Sequence, residues 1–401
     1  MISVDEALDR IFLQLDAPQV ETVPLARAHR RVLAEPLVAT HTQPPFDASA
    51  MDGYAVRAAE AVPGRQLRLA GTSQAGQRFA GMMELGQCVR IFTGAPMPIG
   101  ADAVIMQEQA HADGNLVSFE KAPAAGQNIR PRGHDYRQGD ELLARGVTLT
   151  PARLNLAASA NCPALPVTRR PRIALLATGD ELVAPGGTPG PDQIIASNSY
   201  GLTPLLSPHA DKIVDLGIIP DDRRALEAAL LGAFDYGVDV VVTTGGASVG
   251  DRDYVREVLI DLGVTLDFWK LMMRPGKPLM FGTRGSTLVF GLPGNPVSAL
   301  VTAIVVLLPT LRQMTGHADP LGPRFGLPLA AGLPPNGPRR HYIRATLDSS
   351  ERGLLQVTPI GETDSSHGSS LAQADALIVQ PENDPGQTAG AIVEVIPLAC
   401  G

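Results

Sequence analysis

Residues 238–253, VDVVVTTGGASVGDRD, carry the pattern that decides the fold. The valine run at 240–242 predicts a strand covered by helices on both faces, because a strand with one face in solvent would alternate apolar and polar residues. Glycines at 245, 246 and 250 allow the following loop to adopt positive φ and to approach a ligand closely. Apolar residues at helical spacing then predict a helix that begins at Asp253. The inner face of that helix would contain Val255, Val258, Leu259 and Leu262.

The loop between this strand and this helix combines anion-binding groups with carboxylates. Backbone amides at a helix start attract anions, and Ser248 and the glycines add donors beside them. Asp251 and Asp253 would repel the same anion unless a cation lay between them. The stretch therefore predicts a pocket for a phosphate group and a divalent metal ion.

Strands and helices alternate on both sides of this stretch. Residues 173–178 form an apolar strand ending in TGDEL, residues 213–219 one ending in PDD, and residues 288–290 one leading into GLPGNP. Because helical segments separate these strands, residues 171–320 are predicted to form a doubly wound, parallel α/β domain. Loops that follow parallel strands share one rim of the sheet, where ligands bind. Such loops carry Asp180, Glu181, Asp221, Ser248, Asp251, Asp253 and Asn295.

The rest of the chain contains helical and β-rich segments. Ser3 and Glu6 form a capping pattern at the start of an amphipathic helix, and further helices are predicted at 25–34 and 151–160. Short alternating segments between glycine-rich turns predict a small β domain from Gly64 to about Gly126 and another after about Gly322.

Composition and charge exclude several classes of function. The chain has 401 residues, of which 44% are hydrophobic and 18% charged, as in a globular protein of several domains. A formal charge of -8 and 4% aromatic residues argue against a nucleic-acid partner. The apolar run at 297–308 is interrupted by polar residues and ends at Pro309, so it predicts a buried helix and no membrane partner. Three scattered cysteines and an acidic N-terminus without a targeting pattern predict a reduced, cytoplasmic protein.

A hydrolase is one alternative, because residues 246–250 fit the G-x-S-x-G pattern of a nucleophile turn. It is disfavoured because three residues, Gly250-Asp251-Arg252, separate that turn from the helix. The histidines at 317, 341 and 367 also lie outside the run of strands and helices. The sequence contains neither a dinucleotide-binding G-x-G-x-x-G after its first α/β strand nor a P-loop.

Three further motifs have both a structural and a functional interpretation. The TGDE sequence at 178–181 could be a turn followed by a helix cap, and GLPGNP places Asn295 as a cap with Pro296 in the first helical position. Arg274 and Lys277, on a turn in RPGKP, suit a phosphate or another oxyanion, although a surface charge pair fits the pattern equally well.

Seven motifs occur in one order along the chain: SAMDGYA, FTGAPMP, NIRPRG, ATGDEL, TTGGASVGDRDY, RPGKP and GLPGNPVSA. This ordered set resembles the MoeA-type molybdopterin molybdenumtransferases, which are relatives of the gephyrin E domain. The resemblance covers nearly the whole chain and implies a homodimer of elongated four-domain subunits with shared active sites. It also implies insertion of molybdenum from molybdate into adenylylated molybdopterin, with Mg²⁺-dependent release of AMP.

The resemblance also implies domain boundaries. They are a helical domain in two parts at 1–40 and 135–170, a β-rich lobe at 41–134, the α/β molybdopterin-binding domain at 171–320, and a C-terminal β-barrel at 321–401.

Matched motifs imply the roles of individual residues. The implied catalytic residues are Asp52, Thr93, Asp135 and Glu181. The implied substrate-binding residues are Asp180, Asp221, Gly245, Gly246, Ser248, Gly250, Asp253, Arg274, Lys277, Pro293 and Pro296. Mg²⁺ would be bound by Glu181 and Asp253.

The sequence departs from the family pattern in two ways, and one alternative stays open. Arg274 stands where many relatives have lysine, and a planar fork binds differently from a point donor. Pro204 and Pro208 predict a shortened or kinked helix after Asn198. Because the gephyrin E domain also binds receptor loops, a scaffold or a non-catalytic molybdopterin-binding protein is the alternative to an enzyme.

Overall fold

The computed structural model describes residues 1–245, 254–350, 353–361 and 364–398. The N-terminal segment contains α1 (Val4–Leu13), β1 (Val20–Pro24), β2 (Leu37–Val38) and β3 (Ala48–Ser49). Helix α1 begins as predicted, because Ser3 Oγ accepts a 3.0 Å hydrogen bond from the Glu6 amide. Its apolar face packs into the core of the α/β domain and contains Val4, Ala7, Leu8 and Ile11.

The helix predicted at 25–34 is wrong. A single 3-10 turn, Leu25–Arg27, forms there, and Arg30 adopts a φ of 61°. The amide of Leu33 donates to the Val147 carbonyl at 3.0 Å, and Val32 forms a bridge to Thr148. Pairing with this distant segment takes up the backbone groups that a helix would need.

A six-stranded sheet forms the β-rich lobe, with strand order β7-β4-β6-β5-β9-β8. Its strands are β4 (Gly53–Val56), β5 (Gln66–Ser73), β6 (Gln87–Ile91), β7 (Ala103–Met106), β8 (Ala110–Asp113) and β9 (Leu116–Phe119). Two short strands connect the lobe to the rest of the chain: β10 (Ile129–Arg130) pairs with β3, and β11 (Glu141–Leu143) pairs with β2. Cys88 is buried in the lobe, and burial raises the pKa of its thiol to about 12.

Helix α2 (Pro151–Ser159) forms where a helix was predicted, and β12 (Ala164–Thr168) pairs with β1. The α/β domain follows. Its strands are β13 (Arg172–Thr178), β14 (Leu182–Val183), β15 (Ile194–Ile195), β16 (Lys212–Ile219), β17 (Val240–Thr244), β18 (Thr265–Lys270), β19 (Met273–Arg274), β20 (Pro278–Arg284) and β21 (Thr287–Leu292). Its helices are α3 (Asn198–Leu206), α4 (Arg223–Asp235), α5 (Tyr254–Asp261), α6 (Pro296–Thr302) and α7 (Leu308–Met314).

The main sheet of this domain has the order β16-β13-β17-β21-β20-β18. The first four strands are parallel, as predicted, and β17 is covered on both faces: Val240 and Val242 join one core, and Val241 joins another. The pairings of β20 with β21 and of β18 with β20 are antiparallel, and the predicted parallel sheet did not include them. The reason is local, because a two-residue turn at Gly285, with a φ of 57°, joins β20 directly to β21.

Two helical segments of this domain contain prolines. Helix α3 ends at Leu206, two residues after Pro204, and gives way to a 3-10 turn, so the predicted shortening is confirmed. The apolar run at 297–308 forms the predicted buried helix, which continues through a π-helical turn at Ala303–Leu307 and past Pro309 to Met314. Among the described residues, Pro296–Met314 is long and apolar enough to cross a membrane, with a mean hydropathy of 1.7, but 72% of that stretch is buried in the protein core.

The C-terminal sheet contains β22 (Phe325–Pro328), β23 (Arg340–Ser349), β24 (Leu355–Pro359), β25 (Ala376–Gln380) and β26 (Ile392–Pro397), with α8 (Gly368–Ala372) beside it. The sheet curls until Leu329 bridges Val357, which encloses a separate apolar core. Strand β19 of the α/β domain pairs in parallel with β23. The two domains therefore share backbone hydrogen bonds next to the RPGKP turn.

Helix α1 provides a test of this packing. We expect Ile11→Ala, at a fully buried position, to lower the free energy of unfolding by about 2–5 kcal/mol. Leu13→Ala is the matched control, because the Leu13 side chain is 83% exposed and its loss should change stability by less than ~0.5 kcal/mol. Chemical denaturation of both variants measures the difference. Equal, small effects would show that α1 does not contribute to the α/β core.

Candidate active site

The rim formed by the ends of the parallel strands brings Asp180 and Asp221 together, as predicted. Thr178 Oγ1, at the end of β13, donates to Asp221 Oδ1 at 2.6 Å. The Asp221 amide in turn donates to Asp180 Oδ1 at 3.0 Å. These bonds connect the loops that follow β13 and β16, so the two aspartates hold the rim together and also present carboxylates to it.

Glu181 lies beside them with its carboxylate free. The helix-cap interpretation of TGDE is wrong, because a turn closes from Leu182 back to the Gly179 carbonyl and is followed by β14. The carboxylate of Glu181 folds over Gly179, where an added Cβ would come within 2.5 Å of Oε2. No residue in the described part of the chain hydrogen-bonds this carboxylate. Glu181 is therefore available to a ligand.

A cavity of about 420 Å³ opens at this rim. Its polar side includes Glu181, Asn198, Gly245 and Asn295. Its other side is apolar and includes Ile194 and Ile195, whose side chains are 59% and 39% exposed. A cavity with one polar and one apolar wall suits a ligand that has a flat ring system and a charged end.

Asn198 is a cavity residue that the sequence prediction missed. Its Nδ2 donates to the Gly294 carbonyl at 2.8 Å, while its buried Oδ1 has no hydrogen-bond partner among the described residues. A buried acceptor without a partner is costly, and it lies in a residue whose other atoms line the cavity. The sequence feature that could have identified it is its position as the first residue of a helix, α3.

Gly245 and GLPGNP pack backbone against backbone at the rim. Gly245 has a φ of 86°, and a Cβ there would lie 2.4 Å from the Thr178 carbonyl oxygen. The Cα of Gly245 would in turn lie 3.7 Å from a Cβ added to Gly294. Pro293 and Pro296 flank this contact, so glycine is required where the ends of β17, β13 and β21 converge.

Asn295 occupies the cap position of α6 with Pro296 in the first turn, as predicted, but its side chain does not cap the helix. Instead, Asn295 Nδ2 donates to Ser365 Oγ at 3.0 Å. Ser366 hydrogen-bonds Asp364 through both its amide and its hydroxyl. The C-terminal domain therefore reaches the rim through Ser365.

Arg274 and Lys277 lie at the same rim. Met280 of β20 is opposite Gly291 of β21, so the RPGKP turn that precedes β20 lies beside GLPGNP. Arg274 Nη2 is 2.7 Å from His341 Nδ1, and burial lowers the pKa of Arg274, with a further contribution from the charge of Arg339. Arg274 is half-buried and contacts the C-terminal domain, and its role as an anion ligand stays a prediction. Lys277 is exposed.

The remaining predicted residues are placed separately. On the lobe, Asp52 Oδ1 accepts hydrogen bonds from Thr93 N at 2.7 Å and Thr93 Oγ1 at 2.8 Å, and these bonds lower the pKa of Asp52. Asp135 is exposed, and its amide donates to the Gln43 carbonyl. Within the described residues, the rim cavity is lined by none of these three. Within one chain, the rim residues therefore come together, whereas Asp52, Thr93 and Asp135 do not line the rim cavity.

The loop that follows Gly245 contains five of the residues predicted from the sequence. Gly246, Ser248, Gly250, Asp251 and Asp253 lie outside the described residues. Their predicted roles in anion and metal binding stay predictions.

Comparison with protein families matches three consecutive regions. Residues 2–161 match the MoeA N-terminal region (domain I and II), residues 174–313 match the "Probable molybdopterin binding domain", and residues 327–398 match the MoeA C-terminal region (domain IV). The molybdopterin molybdenumtransferase of Haemophilus influenzae is 36% identical over 99% of each chain. The chain belongs to the MoeA family of molybdopterin molybdenumtransferases.

Further relatives extend this assignment. The molybdopterin molybdenumtransferase of Nostoc is 36% identical over 96% of this chain and 90% of the relative. Gephyrin of Dictyostelium discoideum is 32% identical over 99% of this chain, which spans 62% of gephyrin. A crystal structure of the molybdopterin biosynthesis MoeA protein from Pyrococcus horikoshii superposes with a TM-score of 0.83 at 27% identity, covering 98% of this chain and 99% of the other. The resemblance in the sequence motifs is confirmed.

Substitutions at two glycines test how closely the ends of β17 and β13 approach each other at the rim. Gly245 and Gly237 both have positive φ, but a Cβ at Gly237 would meet open space. Both substitutions to alanine carry backbone strain of about 1 kcal/mol, and Gly245→Ala adds a clash with a carbonyl oxygen. We expect Gly245→Ala to lower the free energy of unfolding by roughly 2 kcal/mol more than Gly237→Ala, as measured by urea denaturation. Equal losses would show that the rim tolerates a side chain at Gly245.

Proposed function

We propose that this protein inserts molybdenum from molybdate into adenylylated molybdopterin in the cytoplasm, with release of AMP. As a molybdopterin molybdenumtransferase, it is an enzyme of molybdenum cofactor biosynthesis. The observation that carries the proposal is the rim cavity, where Asn198 and the carboxylate of Glu181, which no described residue hydrogen-bonds, adjoin an apolar wall. The apolar wall suits the pterin, and the polar groups suit its charged end.

Charge at the rim fits two anionic substrates. Molybdate and the adenylate phosphates both need cations or amide donors. Arg274 and Lys277 supply positive charge on the GLPGNP side, and Asp180, Glu181 and Asp221 supply negative charge on the opposite side. We propose that the anions bind near the arginine and the lysine, and that Glu181 acts on the reacting groups.

Mg²⁺ fits the donor set on the carboxylate side. Mg²⁺ prefers oxygen ligands, keeps several waters, and commonly uses one or two protein carboxylates together with substrate phosphates. Glu181 and Asp253 would hold the ion. When bound, it would neutralise charge on the phosphate groups as AMP leaves.

The lobe residues Asp52, Thr93 and Asp135 complete the proposal. Because one chain does not bring them to the rim cavity, we propose that a second subunit does so in a homodimer. Thr93 holds the Asp52 carboxylate in its ionised form, so this group would face the partner rim as a fixed negative charge.

A scaffold or non-catalytic molybdopterin-binding protein is the second candidate, and the similarity to gephyrin favours it. A scaffold needs no working carboxylates at the rim. Molybdate-dependent release of AMP from adenylylated molybdopterin therefore distinguishes the two. An enzyme should release AMP only when both molybdate and Mg²⁺ are present, whereas a scaffold should release none.

Carboxylate substitutions test the roles of Glu181 and Asp52. We expect Glu181→Gln and Asp52→Asn each to raise the activation barrier for AMP release by roughly 2–4 kcal/mol, because each removes a charge from the reacting centre. Neither change should unfold the protein, since both side chains are exposed. Glu227→Gln, on the exposed face of α4, is the matched control and should keep parental activity. Parental turnover by either site variant would remove that residue from the site.

Mixing the two inactive variants tests the shared site. In an Asp52→Asn/Glu181→Gln heterodimer, one of the two sites would contain both native residues. After random re-pairing of equal amounts, about half of the dimers are mixed, so activity should reach about a quarter of the parental value. Native mass spectrometry verifies that heterodimers have formed. A mixture that contains heterodimers but stays inactive would place the whole site within one chain.

A further inference from the structure

His341, on strand β23 of the C-terminal domain, lies directly against Arg274 of the rim. The pairing of β19 with β23 sets the two residues opposite each other, and Arg274 Nη2 lies 2.7 Å from His341 Nδ1. His341 is only 6% exposed. The contact therefore joins the cationic side of the rim to the interior of another domain.

The direction of this hydrogen bond determines the state of the imidazole. A guanidinium group can only donate, so Nδ1 of His341 must accept and the ring proton must lie on Nε2. Gln380, opposite His341 on β25, provides the next acceptor, because its Nε2 already donates to the Pro334 carbonyl at 2.8 Å. Burial, followed by the charge of Arg274, lowers the pKa of His341 to about 4. His341 is therefore neutral at physiological pH.

A neutral partner has a particular consequence for Arg274. A carboxylate at this place would hold the guanidinium but would also cancel its charge. The imidazole holds it and leaves the charge intact, and no carboxylate in the described part of the chain forms an ion pair with Arg274. The buried Nε of Arg274 also has no described partner. Arg274 thus keeps both its charge and unused hydrogen-bonding capacity.

We propose that His341 is a positioning residue that aims the uncancelled charge of Arg274 at an anionic group of the substrate, either a phosphate of adenylylated molybdopterin or molybdate. The inference rests on the proposed function, because it needs an anion at the rim. Holding the fork in one orientation in advance lowers the entropy cost of binding. The C-terminal domain would then contribute to substrate affinity without touching the substrate.

Two substitutions at His341 separate the hydrogen bond from packing. His341→Asn keeps an acceptor where Nδ1 lies, whereas His341→Leu keeps similar volume and removes it. We expect His341→Leu to raise the Kd of adenylylated molybdopterin or of molybdate about tenfold, and His341→Asn to stay within about threefold of the parent. KM should rise with Kd while kcat changes little, because the residue acts on binding.

A double-mutant cycle connects the effect to Arg274. If His341 acts through the arginine, Arg274→Ala/His341→Leu should bind no more weakly than Arg274→Ala alone. Arg274→Lys, which leaves the C-terminal core intact, should also bind more weakly than the parent, since it keeps the charge but loses the fork. That variant keeps the test valid if His341→Leu does not fold.

The possible failures are distinguishable. A parent protein that releases no AMP would overturn the proposed function, whatever the His341 variants do. An active parent with unchanged Kd in a folded His341→Leu variant, or in Arg274→Lys, would overturn the positioning role alone. Equal weakening by Asn and Leu, with effects that add to Arg274→Ala, would likewise reduce His341 to a packing residue.

Discussion

The close packing of three parallel strand ends is the constraint on which the rest of the structure depends. The valine run of β17 is buried on both faces, so β13 and β21 are held beside it. At the ends of these strands Gly245 approaches the Thr178 carbonyl too closely for any side chain. Every loop that leaves these strands therefore starts from the same small area. The carboxylates and the cavity follow from that placement.

Charge is separated across this rim in a way that follows from domain architecture. Asp180, Glu181 and Asp221 come from loops within the α/β domain, and two of them are joined by hydrogen bonds to the rim backbone and Thr178. Arg274 lies at the boundary with the C-terminal domain, which supplies its hydrogen-bond partner. Among the described residues, Arg274 forms no ion pair with these carboxylates. The acidic and the cationic sides of the rim are therefore supported by different domains.

Local patterns predicted much of the fold. The valine run, the capping residue Ser3 and the prolines of α3 each act through neighbours in sequence, and each prediction is confirmed. The predicted helix at 25–34 failed because residues 147–149 compete for its backbone groups. The antiparallel edge of the sheet departs from the prediction because the two-residue turn at Gly285 forms a hairpin between β20 and β21. At the site, the rim location of Asp180, Asp221 and Asn295 followed from topology alone.

The sequence by itself determined the parallel core, the shared rim and, through seven ordered motifs, the family. Those features depend on apolar periodicity and on residues close together in the chain. Only the tertiary structure decided that Arg274 meets His341 and that Asn295 meets Ser365, since these pairs are separated by 67 and 70 residues. It also decided that Asn198 lines the cavity and binds the Gly294 carbonyl through its Nδ2. Contacts between domains depend on how finished domains pack together, and no local pattern records that arrangement.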